Sequence, residues 1–123
     1  AQANWYAKRW KFWFKRRGAA VAYRRNLDGT GPYRINTMAF FRHLKDSEMV
    51  GGVQASDVAI LIWPEPLKTF GLPWPPMQGD MIVRRAGRPE ETLYAAIAPP
   101  QIVDVSDVDV VIRMIARVGS ASL

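Results

Sequence analysis

The stretch Val108-Asp109-Val110-Val111-Ile112-Arg113-Met114-Ile115-Ala116-Arg117-Val118 carries an apolar residue at every second position from Val108 to Val118. Asp109, Arg113 and Arg117 alternate with these, and Val111 and Ile115 share their outer face. Strand side chains point to opposite faces in turn, so a period of two sustained over this length predicts a half-buried strand. Upstream, short apolar runs separated by turns recur. Thr92 to Ala98 follows the turn Gly87-Arg88-Pro89-Glu90, and Met81 to Arg85 follows Gly79-Asp80. Val58 to Trp63 is almost wholly apolar and is closed by Pro64 and Pro66. Leu72-Pro73-Trp74-Pro75-Pro76 is excluded from a central strand, because prolines donate no ladder hydrogen bond. Tyr33 to Lys45 reads as a longer strand, with Met38, Phe40 and Leu44 on one face and Ile35, Ala39 and Phe41 on the other. Apolar residues on both faces predict cover on both sides. Ala20 to Arg25 is a further strand, joined to it by the glycine-bearing turn 26–32.

The N-terminal segment has a different period. Trp5 to Arg17 contains neither Gly nor Pro, with Asn4 placed to cap a helix and Gly18 placed to end it. On a helix over 4–17, Tyr6, Trp10, Trp13 and Phe14 fall in one stripe, and Lys8, Lys11 and Lys15 lie on the far side. Trp5 and Phe12 are seven residues apart and share the cationic face near Arg9 and Arg16. A lone monomer has no reason to expose both, so Trp5, Arg9, Phe12, Arg16 and Arg17 are candidates for a contact with another chain. Together these elements predict a mainly β fold: a small antiparallel β-barrel or sandwich of about six strands with an N-terminal α-helix. The 123 residues fit a single domain, with the barrel over 20–119 and a polar loop at 45–57.

Charge is unevenly placed. Residues 1–50 hold 11 Lys/Arg against 3 Asp/Glu, whereas residues 51–123 hold 6 against 8. Such asymmetry points to a polyanion or an acidic partner near one end. The basic, aromatic helix has three readings: an anionic membrane surface, nucleic-acid phosphates, or an acidic protein ring. The attached barrel and the Trp5–Phe12 pair favour the protein ring. No apolar run reaches the roughly 20 residues that span a bilayer.

The inventory of reactive groups is short. There is no cysteine, which excludes disulfides, thiolate metal sites and cysteine nucleophiles. His43 is the single histidine and reads as a structural or interface residue; Ser47 has no evident route to it. Glu90 and Glu91 diverge in a turn. Asp104, Asp107 and Asp109 read as an acidic turn that accepts an arginine from a neighbouring subunit rather than as a metal loop. Asp28-Gly29-Thr30-Gly31 lacks the Lys-Ser/Thr ending of a phosphate loop and is explained by a hairpin turn. No catalytic residue, metal site or cofactor is expected.

Taken in order, the segments resemble the phage head–tail joining proteins, also called head-completion or stopper proteins. The matching pieces are Asn4-Trp5-Tyr6, Val21-Ala22-Tyr23-Arg24-Arg25, Met38-Ala39-Phe40-Phe41-Arg42, Glu48-Met49-Val50-Gly51-Gly52-Val53-Gln54 and Asp57-Val58-Ala59-Ile60-Leu61. Pro73-Trp74-Pro75-Pro76-Met77-Gln78-Gly79-Asp80, Gly87-Arg88 and the closing Arg117-Val118-Gly119 complete the set. The unusually basic helix and the longer turn Arg88-Pro89-Glu90-Glu91 depart from the family's pattern.

The resemblance implies a non-enzymatic ring subunit of the phage neck, at the head–tail junction of the virion and in the host cytoplasm during assembly. A hexamer is the favoured closure and a dodecamer the alternative. Portal or adaptor proteins would lie above, a tail terminator or tail tube below, and packaged double-stranded DNA in the channel, with no membrane partner. By position, Lys45, Asp46, Ser47, Glu48, Met49, Val50, Gly51, Gly52, Val53 and Gln54 match a loop that obstructs the channel, where Gly51-Gly52 would permit opening; an ordinary surface loop is the alternative. Arg42 and Lys45 are candidates to face DNA, and Pro73, Trp74, Pro75 and Pro76 to meet a subunit or the tail. Two rival readings are a small-barrel nucleic-acid-binding monomer, which predicts aromatic and basic residues together on one sheet face, and a tail terminator on a related barrel.

Overall fold

The computed structural model describes residues 2–27, 31–45, 48, 51–54, 56–85, 87–105 and 108–119, with side chains at all of these except 2–4, 26–27 and 31–33. Helix α1 (Gln2–Arg17) is followed by β1 (Ala19–Leu27), β2 (Gly31–His43), β3 (Val58–Ile62), α2 (Glu65–Thr69), β4 (Met81–Arg84), β5 (Thr92–Ala96), β6 (Gln101–Val105) and β7 (Val108–Gly119). Six strands close into an antiparallel barrel in the order β3-β2-β1-β4-β5-β7, and β7 returns to β3. β6 stands outside the closed ring as a hairpin partner of β7.

The length of β7 makes the closure possible. One of its edges holds β3 from Ile112 to Ala116, while the other pairs first with β6 and then with β5. The barrel interior takes alternate residues of the strands, among them Tyr23, Ile35, Ala39, Ile60, Ile62, Ile82, Ile112 and Met114. Leu67 of α2 and Leu72 behind it close one end of this core. Gly71, at φ 81, lets the chain leave α2 with the Leu72 amide turned back to the Leu67 carbonyl at 2.9 Å.

The expected barrel with an N-terminal helix is the observed architecture, and the differences are local. The apolar alternation in β7 runs through Met114 and Ala116, but Val118 is 57% exposed. At the other end, Val103 pairs with Val111 and Asp104 with Asp109, so Val110 is an extra residue on β7. This bulge turns both Val110 and Val111 into the cluster beneath α1. β2 behaves as expected: Ile35 and Ala39 face the barrel core, and Met38 and Phe40 are covered by α1.

α1 begins at Gln2, so Asn4 lies inside its first turn and does not cap it. Gly18 ends the helix, its amide donating to the Phe14 carbonyl at 3.0 Å. A Cβ there would stand 2.5 Å from that oxygen and 3.2 Å from Met38 Cβ, so close approach excludes any side chain. The expected stripe is also narrower than read: Phe14 is fully buried and Trp10 packs beside it, whereas Tyr6 is 40% exposed and meets Trp5 edge-on.

Candidate functional site

Three groups of residues singled out in the sequence can now be placed. On α1, Phe14 is fixed between Phe40, at 5.1 Å between ring centroids, and Trp63, at 6.3 Å and nearly parallel. That contact leaves Trp5 54% and Phe12 52% exposed on the helix's open side. Aromatic residue and arginine recur there at a spacing of four. Arg9 lies over Trp5 at 5.3 Å, Arg16 over Phe12 at 5.6 Å and Arg17 over Trp13 at 5.3 Å. One helical turn separates each cation from its ring, which brings side chains onto the same patch of surface. The expected grouping of Trp5, Arg9, Phe12, Arg16 and Arg17 is therefore a surface rich in arginine and aromatic rings, with no acidic residue anywhere in α1.

The loop 45–57 is held at both ends by ion pairs that the sequence reading missed. Glu48, nearly buried, receives Arg42 through both terminal nitrogens at 2.7 and 2.9 Å, and the Lys45 amide at 2.8 Å. Arg113 of β7 approaches the same carboxylate at 3.4 Å. These donors, Arg42 foremost, lower the Glu48 pKa to about 2. At the other end Asp57 accepts Arg117 at 3.0 Å through two nitrogens and the Gln54 amide at 2.8 Å, and the Arg117 hydrogen bond holds its carboxyl below the ordinary range. Arg117 also donates to the Gly52 carbonyl at 3.0 Å. Between these ties Gly51, Gly52 and Gln54 are exposed and Val53 is half-buried; Asp46, Ser47, Met49 and Val50 lie outside the described residues. Of the two residues expected to face DNA, Arg42 is engaged with Glu48, while Lys45 is exposed. The unread signal was the pairing of β7's outward arginines with the carboxylates flanking the loop.

The proline segment is organised from inside the barrel. Arg25, on the inward face of β1, donates to both oxygens of Asp80 at 2.8 and 2.7 Å, and to the Pro73 and Pro75 carbonyls at 2.7 and 3.1 Å. Asp80 further accepts the Tyr23 hydroxyl and the Met77 amide. Burial and the neighbouring carboxylate push the Tyr23 pKa up, and the hydrogen bond to Asp80 raises that of Arg25. Pro76 is buried, while Pro73, Trp74 and Pro75 stay exposed, with Lys68 over the Trp74 ring at 4.7 Å. The Trp74–Pro75 peptide is cis.

The remaining candidates are dispersed. His43 is exposed at the end of β2, Glu91 accepts the Gly87 amide at 2.9 Å, and Asp109 pairs with Lys68 within the chain. Asp104 is exposed, and Asp107 lies outside the described residues. Among the described residues no three His, Asp or Glu side chains converge as metal ligands, and no helix is long and apolar enough to cross a membrane. No family model, curated protein or solved structure matches the chain.

Proposed function

We propose that this chain is a structural subunit of the phage neck, a ring protein that joins the portal or adaptor to the tail and helps retain packaged DNA. The observation that carries the reading is the double-sided helix. One side of α1 is sealed on the barrel, and the other keeps Trp5 and Phe12 more than half exposed among Arg9, Arg16 and Arg17. Aromatic residues and arginine are the anchors that dominate protein interfaces, and an acidic ring face would complement this one. The order of motifs along the sequence supports the same assignment. So does the loop 45–57, whose two ends are braced by Glu48 and Asp57 around a Gly51-Gly52 centre suited to changing conformation.

The rival nucleic-acid-binding monomer is less well supported. It needs aromatics and cations on one sheet face for base stacking, whereas the most exposed aromatics on α1 are Trp5 and Phe12, off the barrel sheet. Electron microscopy of intact particles carrying a labelled copy tests the neck reading. Label density at the head–tail junction is expected, and density at the capsid shell or tail tip overturns it.

A further inference from the structure

We infer that the outer face of β1, flanked by β2 and β4, binds the phosphate backbone of duplex DNA. Val21 and Tyr23 point into the barrel, which leaves Ala20, Ala22 and Arg24 on the outside of the same strand. A groove of about 550 Å³ lies over this face, lined by Ala19, Ala20, Ala22, Asn36, Arg85 and Arg88 among others. Further along β1, Arg24 stands directly opposite Arg34 of β2. Like charges facing each other across a strand pair are destabilising. Among the described residues none of Arg24, Arg34, Arg85 and Arg88 forms an ion pair.

Arg85 adds a second unfavourable feature. Its φ of 57° lies in the left-handed region that side-chain-bearing residues avoid. The turn it opens is closed by Arg88 N–H to the Arg85 carbonyl at 3.2 Å, and Glu91 is directed at the Gly87 amide within the same turn. Continuing the β4 register, in which Arg84 faces Val21, sets Arg85 beside Ala20. The two basic ends are then four residues apart along β1, about 13 Å. Stability alone does not select a naked arginine pair, and a bound anion offsets its repulsion; the Arg85 turn sets further guanidinium charge on the same face.

The floor decides the class of anion. Its lining is Ala19, Ala20, Val21, Ala22, Asn36 and Val83 beside the arginines, with no aromatic ring and no carboxylate among the described residues, so an acidic protein would find no aromatic anchor there. A sugar–phosphate backbone needs cations and a floor low enough to approach, and it carries no sequence requirement. This inference gives the DNA-retaining part of the neck reading a surface, but DNA binding and particle location are measured separately, and either can fail alone.

Fluorescence anisotropy with a short labelled duplex tests it on the full chain. With four phosphates engaged, wild-type affinity should fall roughly 150-fold between about 50 and 200 mM salt. Replacing Arg24, Arg34, Arg85 and Arg88 by Ala should flatten the log–log salt slope by about 3.6. The melting temperature should hold or rise in that variant, since a like-charge pair is removed. Lys8→Gln with Lys15→Gln, on α1, should leave the slope nearly unchanged. Absence of wild-type binding, an unaltered slope in the four-arginine variant, or tighter binding of polyglutamate than of duplex would each overturn the inference.

Discussion

Arg24 and Arg25 are adjacent on β1 and point to opposite faces of it. Arg25 is 4% exposed and has four hydrogen bonds, two to Asp80 and two to carbonyls of the proline segment. Arg24 faces Arg34 across the strand pair and forms no ion pair among the described residues. The alternation of the strand thus sorts one residue type into two physical roles. The inward arginine finds a carboxylate 55 positions away in sequence, which the barrel brings to it. The same accounting extends to the rim, where Arg42 and Arg113 meet Glu48 and Arg117 meets Asp57. With Glu48, Asp57 and Asp80 engaged internally, the positive excess is left on the open side of α1 and the outer face of β1. Net charge summed over the sequence predicts neither location; pairing does.

Removing partners from the two kinds of arginine should separate them most sharply. Asp80→Ala leaves the Arg25 guanidinium buried without its counter-charge and releases the Tyr23 hydroxyl and Met77 amide, and should cost about 3–5 kcal/mol. A chemical-denaturation midpoint measures this, and a loss below about 1 kcal/mol would show that water reaches the pair and the interior account is wrong. Phe14→Ala probes the helix in the same way. It empties a fully buried site between Phe40 and Trp63 and should cost about 3–4 kcal/mol. Retention of near-wild-type stability would mean that α1 is not sealed on the barrel.

The brace at Glu48 comes next, at about 2 kcal/mol for Glu48→Gln. Its pKa is held at about 2 instead of the ordinary 4.5, so the folded state binds this proton less tightly than the unfolded chain does. The stabilisation is therefore fully present above about pH 4.5 and is lost as pH falls towards 2. Denaturation curves at several acidic pH values should show the wild type losing stability through that window, while Glu48→Gln declines less steeply. Parallel decline of the two proteins would remove Glu48 from the account.

How much of this was legible follows from which interactions are local. The period of two in β7 and the two apolar faces of β2 are encoded by neighbouring residues, and both survive in the barrel. β6 was unread because Gln101 to Val105 shows no clean alternation, with Gln101, Val103 and Asp104 exposed. α2 spans five residues between and after prolines, too short for a helical period to register. The Val110 bulge was unread because it depends on the partner strand. The open face of α1 could be foreseen from Trp5 and Phe12, since helical spacing is local. The clamp at Asp57 could not, and that at Glu48 only in its local half: Arg42 lies six positions from Glu48, whereas Arg113 and Arg117 lie 65 and 60 positions from their carboxylates and become neighbours only when β3 pairs with β7.

The smallest effect on stability should be the most informative about function. Trp5→Ala and Phe12→Ala remove rings that are more than half exposed, so folding free energy should change by no more than about 0.5 kcal/mol each. Arg9 and Arg16 lose their stacking partners without losing a carboxylate, because α1 contains none. If the open side of α1 meets another virion component, the double variant should fold normally yet be incorporated into particles at least tenfold less than wild type, as quantitative blotting of purified virions would show. Phe14→Ala cannot give that pattern, because its loss acts through folding. Normal incorporation of the double variant would assign the exposed rings no role in assembly, and the asymmetry between the two sides of α1 would then reduce to packing on one side and solvent on the other.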